Sequence, residues 1–220
     1  MTSRTSISGR WRAWAAAAVM ACLLSITACT GGGTAPPGAS PAPESPSFSA
    51  MSTPNATPTP TATSYKPADA SGRAQNVPVP VLPEAAKAET KEGLEAFARY
   101  WYSLLNYSYE TGDLSRITAV SSPSCALCGK VFPGIEKWNA DGRWIVGATI
   151  TVHAVQSPFV RTSTGEFQVA VQSQQKAGLL KNADGTEGQA VAESAMLGDL
   201  MVARYEKGTW AVQNVDRLGG

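Results

Sequence analysis

An α+β domain, with its helices ahead of its strands, is the fold class this sequence predicts. Three observations carry the prediction. Between residues 83 and 140, apolar side chains recur every three or four positions, the period of a helix. From Trp144 onward the period drops to two, that of a strand. Short turn signals then separate the strands, Asp184-Gly185 and Glu206 to Gly208, and short turns favour antiparallel neighbours.

Two segments precede that domain. Residues 1–28 read as a leader: Arg4, Arg10 and Arg12 form a positive start, and Trp14 to Ile26 is apolar. The run is shorter than the roughly 20 apolar residues that span a membrane. It ends in Ile26-Thr27-Ala28-Cys29, which resembles a bacterial lipobox. In such leaders the cysteine is acylated and becomes the first residue after cleavage, so Cys29 is the expected lipidation site and its partner is the bilayer. An ordinary secretory leader with an incidental cysteine, and an uncleaved anchor, are the other readings. Residues 29–82 then form a Pro-, Thr- and Ser-rich stretch with few large apolar side chains. Proline withholds an amide proton, and so few apolar groups do not offset the entropy of ordering. The expectation is a disordered tether with a mean span of about 40 Å if flexible.

The foldable remainder is residues 83–220, expected as a single extracytoplasmic domain. Its first helix is expected over Pro83 to Glu110, with Leu94, Phe97, Ala98, Trp101, Leu104 and Leu105 facing the core. Gly93 weakens it locally, Gly112 stops it, and Asp113 caps a short second helix over Leu114 to Ala119. A third helix runs from Cys128 to about Ala140, with Val131, Ile135 and Trp138 on its apolar side.

One long strand follows. Trp144, Val146, Ala148, Ile150, Val152 and Ala154 are expected to meet the helices, and Ile145 to Val155 supply the mixed opposite face. Phe167, Val169 and Val171 alternate with glutamines and Ala170 in the next strand. Leu179 to Lys181 and Gln189 to Ala192 flank Asp184-Gly185, and Leu200 to Tyr205 pairs with Trp210 to Val215. This order resembles the cystatin-like cone of the nuclear-transport-factor-2 superfamily, where a long helix packs across a strongly bent sheet and can leave a pocket. A flat two-layer α+β sandwich is the alternative.

Composition narrows the partners. Three of the 18 basic residues lie in the leader, so 15 basic residues face 17 acidic ones in the rest of the chain. No basic stripe offers a footprint for a phosphate backbone, and nucleic acid is not an expected partner. No glycine-rich phosphate loop, metal box or nucleophile elbow occurs, and no cofactor is expected.

The candidate chemistry rests on few residues. Cys125-Ala126-Leu127-Cys128 reads first as a local disulfide in an exported domain. A thiol oxidoreductase pair, inert thiols and half of a metal site are the other readings, but zinc wants four ligands and no such set is present. His153, the sole histidine, is an acid–base candidate if it faces a pocket with a carboxylate such as Asp199, Glu206 or Asp216. Otherwise it is a rim histidine. Tyr100 and Tyr107 share a helix face and are candidate pocket residues, or core with phenols at its edge.

The chain also resembles an uncharacterised actinobacterial lipoprotein family, domain of unknown function 6318. The resemblance rests on the lipobox at Cys29, the tether, "ARYWYSLLNYSYETGDLS" from Ala98, "SSPSCALCG" from Ser121 and "GTWAVQNVD" from Gly208. It brings no activity with it and implies a place on the outer face of the cytoplasmic membrane. The expected function is a non-enzymatic module, lipid-anchored outside the membrane, that binds a small ligand or an envelope protein. A pocket isomerase or hydrolase using His153, or a thiol oxidoreductase at Cys125 and Cys128, is the alternative.

Overall fold

The computed structural model describes residues 64–218; Cys29, the leader and the tether up to residue 63 lie outside them. After a 3₁₀ turn (Glu84–Lys87) come helices α1 (Lys91–Thr111), α2 (Ser115–Ala119) and α3 (Ala126–Asn139). Strands β1 (Trp144–Gly147), β2 (Ile150–Gln156), β3 (Glu166–Gln175), β4 (Gly178–Lys181), β5 (Glu187–Val191), β6 (Leu197–Glu206) and β7 (Thr209–Leu218) complete the domain.

The first helix does not start at Pro83. Thr90 caps α1, its Oγ1 accepting the Gly93 amide at 3.0 Å, and the chain before it doubles back. A Cβ on Gly93 would lie 2.2 Å from the Ala88 carbonyl oxygen, so this glycine is a close-approach residue rather than a weak point in a longer helix. The apolar stripe faces inward as its spacing implies: Leu94, Phe97, Trp101, Leu104 and Leu105 are buried. They meet Phe167, Val169 and Val171 of β3, Met201 and Ala203 of β6, and Trp210, Val212 and Val215 of β7 in one core. Both indoles in this core are satisfied. Trp101 donates to Ser121 Oγ (2.8 Å) and Trp210 to the Ala88 carbonyl (3.0 Å).

All strand pairs are antiparallel, in two sheets: β2-β3-β6-β7 and β1-β4-β5. The single strand expected from Trp144 to Val155 is two strands. Gly147 (φ +69°) and Ala148 (φ +55°) turn into the left-handed region and cut it. A Cβ on Gly178 opposite would sit 2.6 Å from the Ala148 backbone nitrogen. The expected alternation also fails at the start of β1, where Trp144 and Ile145 are both buried, Ile145 against Ala148 and Leu180 and Trp144 with its indole proton on the Asp69 carbonyl. A bulge between Val152 and Ala154 upsets the alternation again and leaves His153 and Ala154 exposed.

This break overturns the cystatin-like or NTF2-like cone. A cone needs one continuous, strongly bent sheet, whereas here neither sheet is closed or strongly curled. The change of direction is concentrated at Gly147–Ala148, and the result is the flatter α+β sandwich with helices over two sheets.

Residues 64–82, expected as tether, lie against the domain. Lys66 pairs with Gln75 and Asp69 with Gly72 in a small hairpin. Asp69 accepts the Ser71 amide (2.8 Å), and the Asp69 carbonyl accepts the Trp144 indole proton (2.9 Å). Arg73 donates to the carbonyls of Asn139 and Arg143, where the C-terminus of α3 concentrates partial negative charge. Tyr65 donates to Glu110 (2.6 Å). Backbone pairing and polar docking hold this strap, so its lack of apolar bulk did not forbid order.

Candidate functional site

The sequence-named residues are not gathered in one place. Tyr100 is half-buried at the edge of the main core, 6.4 Å from the Phe97 ring. Tyr107 faces the strap, lining with Tyr65, Val77 and Pro78 a cavity of about 240 Å³. His153 is exposed at the β2 bulge. Its three candidate carboxylates are engaged elsewhere: Asp199 with Tyr102, Glu206 with Arg204, and Asp216 with Asn214.

Cys125 and Cys128 are disulfide-bonded, and both are buried, at 2% and 5% exposure. Cys125 caps α3, its sulfur accepting the Cys128 amide (3.3 Å). Asn214 of β7 accepts the Ala126 amide (2.8 Å) and ties the same helix start to the sheet.

The most developed polar cluster centres on a residue the sequence reading gave only as a spare carboxylate. Asp199 is 1% exposed. Alternation along β6 turns it inward with Met201 and Ala203. Tyr102 of α1 donates to Oδ2 (2.8 Å), Ser173 of β3 donates to the same oxygen (3.1 Å), and Arg217 of β7 donates through Nε to Oδ1 (3.0 Å). Asp199 and Arg217 are directly opposed across the β6–β7 ladder. Burial, and then the Asp199 charge, push the Tyr102 phenol far above its ordinary value, so it stays a proton donor.

Two cavities meet beside this cluster. A polar one of about 70 Å³ is lined by Tyr102, Ser173, Asp199 and Arg217. An apolar one of about 290 Å³ lies between α3 and the three-stranded sheet, against Trp138, Ile145, Leu180 and Val191. Tyr109, Val131 and Gln175 line both. Burial raises the Tyr109 phenol as well. The arrangement offers an apolar cleft ending in charged and hydroxyl groups, the pattern of small-molecule sites. The Asp199 oxygens are already occupied by three donors, so it is poorly placed as a free base. Among the described residues there is no group of three metal-ligating side chains, and no helix is long and apolar enough to cross a membrane.

The signal that pointed to this site was present in the sequence. An acid at Asp199 and a hydroxyl at Ser173 each occupy the inward register of an otherwise apolar strand. A buried polar group must find partners, and such positions mark where they converge.

Residues 63–216 match the model of the Family of unknown function (DUF6318). No curated protein matches. Among solved structures, Aln2 from a Streptomyces species is 8% identical, with a TM-score of 0.37 over 57% of this chain and 89% of that one. The intermembrane space region of the chloroplast protein ARC6 is 8% identical, with a TM-score of 0.41 over 60% of this chain and 98% of that one. At these scores neither likeness carries an argument. The family match takes in the strap as well as the helices and sheets, and the chain belongs to that family.

Proposed function

We propose that this member of the DUF6318 family is a cell-envelope lipoprotein whose domain binds a small molecule outside the membrane and performs no chemistry on it. The lipobox at Cys29 supports the anchor, and the Pro- and Thr-rich composition of residues 30–63 supports a spacer. The Cys125–Cys128 bond suits an oxidising compartment. One observation carries the binding reading: a cleft of about 290 Å³ shares Tyr109, Val131 and Gln175 with the smaller cavity where the buried Tyr102–Asp199 pair meets the exposed Arg217. Tyr102, Ser173 and Asp199 are held by one another while Arg217 spends only Nε, which favours recognition over proton transfer.

The pocket-enzyme alternative draws on the same cluster, because it sets a phenol 2.8 Å from a carboxylate, two groups used in acid–base chemistry. Against it stand the raised phenol and the distance of His153 from the cleft lining. An oxidoreductase role fits less well with cysteines 2% and 5% exposed, since exchange needs an accessible sulfur.

The test is native mass spectrometry of the full-length protein taken from its own envelope without organic solvent. The expected spectrum shows a diacylated Cys29 N-terminus and a bound small molecule released on unfolding. A protein that carries the lipid but releases nothing, and binds nothing from an envelope extract, would remove the binding reading. An unprocessed N-terminus would remove the anchor.

A further inference from the structure

The groups left over at the polar end of the cleft define what it takes. Asp199 is filled by Tyr102, Ser173 and Arg217. Arg217 spends only Nε on it; neither of its amino groups donates to another described residue, and its side chain is 42% exposed at the cavity edge. Tyr109, raised by burial, and Gln175, which hydrogen-bonds it, stand beside it. The unspent donors are the two amino groups of Arg217, at the edge of a space of about 70 Å³, room for a head group of a few heavy atoms. Behind them the larger cavity presents Trp138, Ile145, Leu180 and Val191, and calls for an apolar body.

We infer that the cleft binds an amphiphilic aliphatic carboxylate, its head group on the free amino edge of Arg217 and its chain between α3 and the three-stranded sheet. This rests on the binding reading above. A planar guanidinium pairs with a carboxylate through two parallel hydrogen bonds, which a hydroxyl or ester does not reproduce. The same sheet already sets one arginine between two carboxylates: Arg204 donates to Glu166 (2.9 Å) and Glu206 (3.3 Å). In the cleft, Asp199 takes one edge of Arg217 and the ligand takes the other. Arg217 is already paired with Asp199, so the pair is neutral before a ligand arrives; a monoanion leaves one net negative charge and a dianion two, and the smaller excess costs less to hold at the cavity edge.

The experiment is calorimetric titration of the delipidated full-length protein with decanoate, decanol and decylammonium. Decanoate is expected to saturate one site and to bind at least tenfold more tightly than decanol, with decylammonium weakest. Arg217→Lys keeps a cation opposite Asp199 but loses the planar fork, and should bring decanoate to within about threefold of decanol. Arg217→Gln should do the same, with its melting temperature read alongside. Equal binding of decanoate and decanol by the unaltered protein would overturn the carboxylate inference while leaving a binding cleft. Saturation by none of the three would overturn the inference, and native mass spectrometry of the envelope-derived protein then decides the binding reading separately. Unchanged decanoate preference in folded Arg217→Lys would place the ligand elsewhere.

Discussion

The four-stranded and three-stranded sheets are both antiparallel yet hold very different interiors. Over the larger sheet, α1 closes a core in which Trp101, Trp210, Phe97 and Met201 are at most 1% exposed. Beside the smaller sheet the buried apolar cluster is only Ile145, Ala148 and Leu180, with Tyr109, Trp138 and Val191 leaning on them. The cleft lies on that thin side, and the Asp199 cluster stands between the two interiors. Space for a ligand therefore arises where packing is light, while the closed core holds the cleft walls in position.

The comparison breaks most visibly at Trp210. This ring stacks edge-on against Phe167 (5.4 Å) and Tyr205 (5.0 Å). Trp210→Ala is expected to cost about 4 kcal/mol in urea unfolding, as large aromatic truncations in closed cores do. Next comes the break between the sheets. Gly178→Val places side-chain atoms where Ala148 already lies, and is expected to cost about 3 kcal/mol, since neither backbone can give way. Smaller still is Ile145→Ala on the thin side, about 2 kcal/mol, the low end for such a truncation because its neighbours already border open space. Equal losses for Trp210→Ala and Ile145→Ala would erase the contrast between the two interiors.

The smallest effect concerns pH and the cluster between them. The Tyr102 phenol is raised from its ordinary value of 10 by burial and by Asp199. Above about pH 10 the unfolded chain loses this proton and the folded one keeps it. Stability is then full below pH 10 and declines as the pH rises further. Tyr65, pushed up to about 12 by the hydrogen bond it donates to Glu110, contributes in the same window. In a Tyr65→Phe background, adding Tyr102→Phe is expected to flatten the alkaline decline of the melting temperature. An unchanged slope would mean that burial and Asp199 do not hold the Tyr102 proton.

What the sequence made legible follows from the range of each interaction. The stripe from Leu94 to Leu105 and the alternation from Phe167 to Val171 are local patterns, and local patterns set the helix and strand faces. The Asp184-Gly185 turn and the Cys125–Cys128 pair are local too. The break at Gly147–Ala148 was harder to see, because Ala148 gives no sign of a left-handed backbone. It turned an expected cone into two flatter sheets. The strap was hidden for a different reason: Arg73 finds Asn139 and Arg143 across 66 and 70 positions, in a stretch whose composition suggests a spacer. Tyr102 and Asp199 meet across 97 positions. Only the odd polar residue at an inward strand position hinted at that meeting, whereas the conspicuous His153 lies on the outside of a bulge.

Val131 lines both the polar cavity and the apolar cleft, so it tests the account at its centre. Val131→Trp is expected to fill space on both sides of the wall they share, and because Val131 also packs against the closed core the variant's melting temperature is read alongside. Native mass spectrometry of this variant, made in its own envelope, should show the same lipidated and folded protein with no small molecule bound. A variant that still carries the molecule found on the unaltered protein would contradict the placement of the site.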